Sequence, residues 1–99
     1  MKLEHEYNSI EEIRQEIDEV DHAIISLIRK RFSFIREIIR YKKDIDEVYA
    51  KKRYHEVISE RRKFATDNNL NPDLIESIYR ILMDYSIKQQ LELLKNKQK

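Results

Sequence analysis

Four cations and two neutral hydrogen-bonding side chains are spaced so that they could hold one small anion. Isoleucine recurs every seven residues at Ile10, Ile17, Ile24 and Ile38, and Arg31 fills the one remaining place in that row. A guanidinium on an inward row is costly unless an anion pairs with it. Lys42 comes eleven residues after Arg31, just over three full helical turns, so both share a face about 16 Å apart along the axis. Two long cationic side chains at that separation can close on one small anion from either end. Arg14 lies seventeen residues before Arg31, about 25 Å away on a rotated face. It cannot reach the same ligand from the same helix, but an antiparallel second chain would lay its Arg14 beside Arg31. Arg53 offers another donor at the start of the next helix. Further on, Tyr79, Met83, Ser86 and Gln90 share one face by three- and four-residue steps, which puts the Ser86 hydroxyl and the Gln90 amide one turn apart. Plainer alternatives stand beside each of these. Arg31 can pair internally with one of 19 acids or snorkel to water, Arg14 and Arg53 can be ordinary solvated residues, and the Ser86–Gln90 face can be a solvated one.

Composition narrows the chemistry. The chain has 99 residues, with no Gly, Cys or Trp and a single Pro. Without Gly there is no phosphate-cradling loop, dinucleotide turn or nucleophile elbow. Without Cys there is no disulfide, thiolate zinc site or cysteine nucleophile. A secreted domain of this size usually needs disulfide staples, so a reducing cytoplasm is expected. Lys and Arg number 20 against 19 Asp and Glu, and a net charge of +1 does not mark a nucleic-acid binder. No apolar run approaches the roughly 18 residues of a membrane span, and the N-terminus lacks a signal-peptide core. His5, His22 and His55 show no i, i+4 pairing, so no metal is expected.

The elements that must position these residues are helices. No hairpin turn signal exists, and Lys, Glu, Arg, Ile and Leu dominate. Ser9-Ile10-Glu11-Glu12 is a capping box: the Ser9 hydroxyl can accept from the Glu12 amide, and Glu12 can bond back. Ile10, Ile13, Ile17, Val20, Ile24, Leu27, Phe34 and Ile38 then form a heptad seam that nothing breaks until about Lys43. A helix of about 33 residues is roughly 50 Å long, far more than the ~13 Å radius of gyration of a 99-residue globule. Its seam therefore calls for a second chain, and an intimate homodimer is expected. Asp44 to Tyr49 loses the period and reads as a loop, a candidate lid beside Lys42. A second helix runs from about Ala50 to Asn68, with Tyr54, Val57, Ile58, Phe64 and Ala65 as its apolar face. Asn68-Asn69 fits a left-handed helix end. Asn71 caps a third helix with Pro72 at its first position, and Leu74, Ile75, Ile78, Ile81, Leu82, Tyr85 and Leu94 continue it. The tail Lys95–Lys99 is expected to fray. The whole chain reads as one all-α domain, residues 1–99, with a core at about 9–94.

These residues, in this order, resemble the all-helical chorismate mutase family. The stretch Ile13-Arg14-Gln15-Glu16-Ile17-Asp18-Glu19-Val20-Asp21 is similar to the family's first-helix signature. Arg31, Tyr41-Lys42, Arg53, Ser86 and Gln90 continue the match over roughly residues 9 to 94. The resemblance implies a three-helix protomer with a long first helix, intertwined as a homodimer with two active sites. It implies that Arg14 of the partner chain and Arg31 bind two substrate carboxylates. Lys42 would contact a carboxylate and the ether oxygen of the breaking C–O bond, with Gln90 on that same oxygen, while Arg53 and Ser86 complete the lining. A pericyclic rearrangement needs no cofactor, only a held conformer and donors where negative charge grows.

One stretch departs from the mutase pattern. Where mutases of the family often carry an Asp-Pro-Glu-Arg-Glu type segment, this chain has Ala50-Lys51-Lys52-Arg53-Tyr54. Arg53 is kept, but both acids that serve the substrate's C4 hydroxyl region are gone. That is similar to the isochorismate pyruvate lyase branch, as is Ser59 to Leu70. The resemblance therefore implies pyruvate elimination from isochorismate to give salicylate, with chorismate-to-prephenate rearrangement as the alternative. The Tyr54 phenol and Ser86 keep the mutase reading open, and 4-amino-4-deoxychorismate is a third substrate. From another class, a non-catalytic helical dimerisation module would leave Arg14, Arg31, Lys42 and Gln90 individually replaceable.

Overall fold

The computed structural model describes residues 7–97, which form α1 (Ile10–Ile38), a 3-10 turn (Ile39–Tyr41), α2 (Ile45–Tyr49), α3 (Lys51–Asp67) and α4 (Pro72–Lys97). The described residues include no strand, and none of their helices is long and apolar enough to cross a membrane. The chain divides into two units, one ending at Ser33 and one beginning at Phe34.

In the first unit the Ser9 cap works as read, while the return bond of Glu12 goes to Asn8, one residue further back. The Glu12 amide donates to Ser9 Oγ (3.2 Å), and the Glu12 carboxylate accepts from the Asn8 amide (2.8 Å). Glu11 and Glu12 also complement the helix dipole. No residue anywhere along α1 is buried. The seam residues Ile13, Ile17, Val20 and Ile24 remain 43–51% exposed, and Ile10 and Leu27 more so.

The second unit holds the core. The α-helix ends at Ile38, not near Lys43, and tightens into the 3-10 turn. Two bonds to residues outside α1, one local and one distant, explain the early stop. The Lys43 amide, which would continue the ladder to the Ile39 carbonyl, donates instead to the Glu47 carboxylate (2.7 Å). The Ile39 carbonyl accepts from the Lys97 ammonium (3.3 Å). Asp44 to Tyr49 is likewise not a loop. Asp44 Oδ1 accepts from the Glu47 amide (2.9 Å) and caps the five-residue α2. Its Val48, 1% exposed, packs with Ile39 and Leu94.

Ala50 joins α2 to α3 in the left-handed region (φ 41°, ψ 55°), and its amide bonds the Asp46 carbonyl (3.0 Å). A Cβ in that region costs about 1–2 kcal/mol. Ala50→Gly is therefore expected to raise stability by about 0.5–1 kcal/mol, read as a higher urea midpoint at unchanged slope.

Along α3, Val57, Ile58 and Ala65 are buried and Tyr54 is half-buried. Phe64, expected on that apolar face, is 53% exposed; the Arg61 guanidinium covers one side of its ring (5.6 Å). The helix ends with Asn69 at φ 59°, and Asn71 Oδ1 accepts from the Asp73 amide (2.8 Å) to start α4. Arg62 bridges α3 to α4 through Asp73 (2.8 Å) and Glu76 (2.9 Å). On α4, Met83 packs with Val57 and Ile58, while Leu94 packs with Ile39 and Val48. Its other face, with Leu74, Ile78, Ile81 and Tyr85, stays exposed. The C-terminal tail does not fray where expected: α4 continues to Lys97, and residues 98–99 lie outside the described residues.

Candidate functional site

The Ser86–Gln90 face of α4 turns inward. Met83, Ser86, Gln90 and Leu94 are the buried residues of this helix, so two polar side chains sit between two apolar clusters on one stripe. A solvated face, the plainer alternative, is overturned. Ser86, 3% exposed, satisfies its hydroxyl by donating to the Leu82 carbonyl one turn back (2.8 Å). Gln90 is 5% exposed, and its Oε1 is buried without a hydrogen-bond partner. Leaving a buried polar atom unsatisfied costs about 1–3 kcal/mol; this amide oxygen can bond only a donor, while a ligand oxygen would be met by the Nε2 of the same side chain.

Lys42 leaves the 3-10 turn in an extended conformation and is half-buried. Its Nζ donates to the Val48 carbonyl at the end of α2 (3.4 Å). Burial pushes its pKa below the ordinary lysine value, and the neighbouring Glu47 carboxylate offsets this only in part. An ammonium short of water and held by one long hydrogen bond is ready to take an anion in exchange.

Tyr54 is drawn to α4. Its hydroxyl donates to Asp84 Oδ1 (2.7 Å), and the Arg80 guanidinium lies over its ring (5.7 Å). Burial first, then the bond to Asp84, raises the phenol pKa, so Tyr54 stays a neutral donor. Arg80 is itself held by Glu76 (2.8 Å). Arg53, one residue earlier on α3, is exposed.

The remaining two cations belong to α1 in the first unit. Arg31 is half-buried in the isoleucine row. Arg14 is solvated, its side chain 67% exposed and paired with Glu11 one turn back (3.2 Å). Taken within one chain, that is an ordinary surface arginine.

The residues that surround the candidates were less visible. Asp84 stands thirty residues from Tyr54, and no local pattern announces the pair. Lys97 falls in the tail that the sequence reads as fraying, whereas α4 includes it. The role of Glu47 beside Lys42 was readable, since Asp44 and Glu47 have the spacing of a capping box. Among the described residues no group of three His, Cys, Asp or Glu side chains is placed to hold a metal ion. The chemistry on offer is anion binding by cations together with a neutral hydrogen bond from the buried Gln90 amide; the Ser86 hydroxyl, its proton on Leu82, is left to accept.

Known proteins are similar to this sequence, two of them over about nine-tenths of it. The isochorismate pyruvate lyase of Pseudomonas aeruginosa is 23% identical over 92 residues, covering 93% of this chain and 91% of the relative. The chorismate mutase of Methanocaldococcus jannaschii is 30% identical over 92 residues, covering 89% and 93%. The T-protein of Enterobacter agglomerans is 33% identical over 72 residues, which span 72% of this chain but only 19% of the T-protein. The family described as chorismate mutase type II matches residues 13–91. The helical architecture and these matches agree, and the chain belongs to the chorismate mutase type II family of chorismate-metabolising enzymes.

Proposed function

We propose that this protein is a pericyclic enzyme acting on a chorismate-type dianion, and that its main reaction is elimination of pyruvate from isochorismate to leave salicylate. The enolpyruvyl C–O bond breaks, one ring hydrogen passes to the enolpyruvyl methylene, and the ring becomes aromatic. Nothing in that balance calls for a nucleophile or a cofactor. The enzyme holds the reactive conformer and stabilises the charge that grows on the ether oxygen. A 10⁶-fold acceleration requires about 8 kcal/mol. Charge-assisted hydrogen bonds of about 1.5–3 kcal/mol each, from groups already in place, reach that range.

In this reading two subunits build each site. Arg31 of one chain and Arg14 of its partner clasp the two carboxylates, where planar guanidinium geometry suits bidentate contact. Lys42 bonds a carboxylate and the ether oxygen, and the Gln90 amide meets the same oxygen. Arg53, Tyr54 and Ser86 complete the lining. The second subunit is supported by α1 itself, a 29-residue helix with a heptad seam and no buried residue.

The observation that carries the lyase over the mutase is the start of α3. Ala50 and Tyr54 place no carboxylate there, and the Tyr54 phenol spends its proton on Asp84. The phenol oxygen can still accept, but as a neutral group, whereas a site built for a C4 hydroxyl would keep a carboxylate acceptor at that position. Isochorismate carries its hydroxyl at C2 and does not need one. The 30% identity to an archaeal chorismate mutase supports the second reading, conversion of chorismate to prephenate. The pure protein incubated separately with each substrate decides between them. Salicylate fluorescence and pyruvate from isochorismate are expected to dominate. Prephenate absorbance from chorismate as the larger activity would reverse the assignment, and silence with both would leave a non-catalytic helical module.

The desolvated Lys42 sets the pH dependence. Burial disfavours its charged form, so the folded pKa lies below the unfolded one. The ammonium is complete at low pH and is lost as pH rises through that lowered value. The alkaline limb of kcat/KM is therefore expected below the ordinary lysine pKa of ~10.4, because kcat/KM reports the free enzyme. The limb of kcat is expected at higher pH, since a bound dianion restores the ammonium. Coincident limbs at the ordinary lysine value would contradict this.

A further inference from the structure

We propose that Lys97, in the last turn of α4, is a positioning residue for Lys42; the inference rests on the reading of Lys42 given above. Its ammonium lies 3.3 Å from the Ile39 carbonyl, 3.1 Å from that of Arg40 and 3.5 Å from that of Lys42 itself. An ammonium has three donors, and here three carbonyls converge on them. The Ile39 carbonyl also accepts the Lys42 amide (3.3 Å), and all three carbonyls lie where α1 tightens into its 3-10 turn and stops. A cation at that end also complements the helix dipole. The bonds bridge 55 to 58 residues of sequence.

The consequence falls on Lys42. Its backbone is extended (φ −98°, ψ 133°), with one amide bond back to Ile39 (3.3 Å). Its side chain is tethered only at the tip, by the long bond to Val48. A residue leaving a helix in this way swings with its backbone, so whatever fixes residues 39 to 42 fixes where the Lys42 ammonium stands. Lys97 does this from α4, the helix that also carries Ser86 and Gln90. One helix thereby holds the polar stripe and pins the cation that is to act with it. Burying Ile39 and Leu94 together brings the two backbones close enough for the ammonium to reach.

The test compares Lys97→Met, which keeps the aliphatic stem and removes the ammonium, with Lys97→Arg, which keeps a cation of similar reach. Wild type is first assayed with chorismate and isochorismate, and the better substrate is used throughout. Lys97→Met is expected to lower kcat per folded molecule by about 10- to 100-fold, with KM within a few-fold, as a misplaced group does. Lys97→Arg is expected to recover most of that loss. Hydrogen exchange at the Lys42 and Lys43 amides should quicken in Lys97→Met and not in Lys97→Arg. A Lys97→Met enzyme with kcat near wild type, or with unchanged exchange at those amides, overturns the inference and leaves the proposed function standing. A wild type silent on both substrates overturns the proposed function instead; exchange then decides the anchoring on its own.

Discussion

Replacing Lys42 with Ala is expected to lower kcat/KM by about 10³- to 10⁴-fold while helix content and subunit association stay as in wild type. A single donor to a developing oxyanion is worth about 10²–10³ in rate, and in the proposed site this ammonium also grips a carboxylate. The fold has little to lose from the change. The side chain makes one 3.4 Å bond to Val48, and burial holds its ammonium at a cost, as the lowered pKa records. The amide bond from Lys42 to Ile39 and the carbonyl accepting from Lys97 belong to the backbone and survive. Lys43→Ala is the control. That side chain is exposed, and its activity is expected within about twofold of wild type, as for surface substitutions generally. A Lys42→Ala enzyme retaining a tenth of its activity would remove Lys42 from the chemistry.

Charging the seam is expected to be as damaging by another route. Ile17 and Ile24 are 51% and 47% exposed, within the apolar row of α1. Fully burying an isoleucine against a partner helix stabilises by about 1.5–3 kcal/mol, and a carboxylate forced into the same place is strongly unfavourable. The double substitution Ile17→Glu, Ile24→Glu should therefore yield monomers by sedimentation, with activity below about a thousandth of wild type, since each site would lose its partner's arginine. The loss should not be relieved by raising substrate, because the missing group is a whole subunit. A dimeric, active double variant would refute the seam. Monomers with full activity would refute the shared site.

What the sequence revealed and what it concealed follow from the range of the forces. Ser9, Asn69, Asn71 and Pro72 act on amides within a few residues, so their roles as caps and stops were legible before any fold was known. The Ser86–Gln90 pair was legible as a shared face by helical spacing, but not as a buried one. Its burial depends on Val57, Ile58, Ile39 and Val48 packing on either side of it. The end of α1 was misplaced because the apolar period runs on past it. The bonds that stop the helix come from Glu47 and from Lys97, which no window on α1 includes. The short helix α2 was hidden for the opposite reason, since five residues are too few to show a period although Asp44 and Glu47 have cap spacing. Arg14 carries no mark of the role proposed for it: its surroundings are those of any solvated arginine.

Mixing two inactive variants tests the shared site most directly. Purified Arg14→Ala and Lys42→Ala proteins are combined, unfolded together and refolded so that subunits exchange at random. If each site takes Arg14 from one chain and Lys42 from the other, every mixed dimer contains one intact site. The mixture should then recover about a quarter of wild-type activity from two nearly dead parents, as symmetric pairing requires. If Arg14 and Lys42 act within the same chain, neither mixed subunit is whole, and the refolded mixture will be as inactive as its parents.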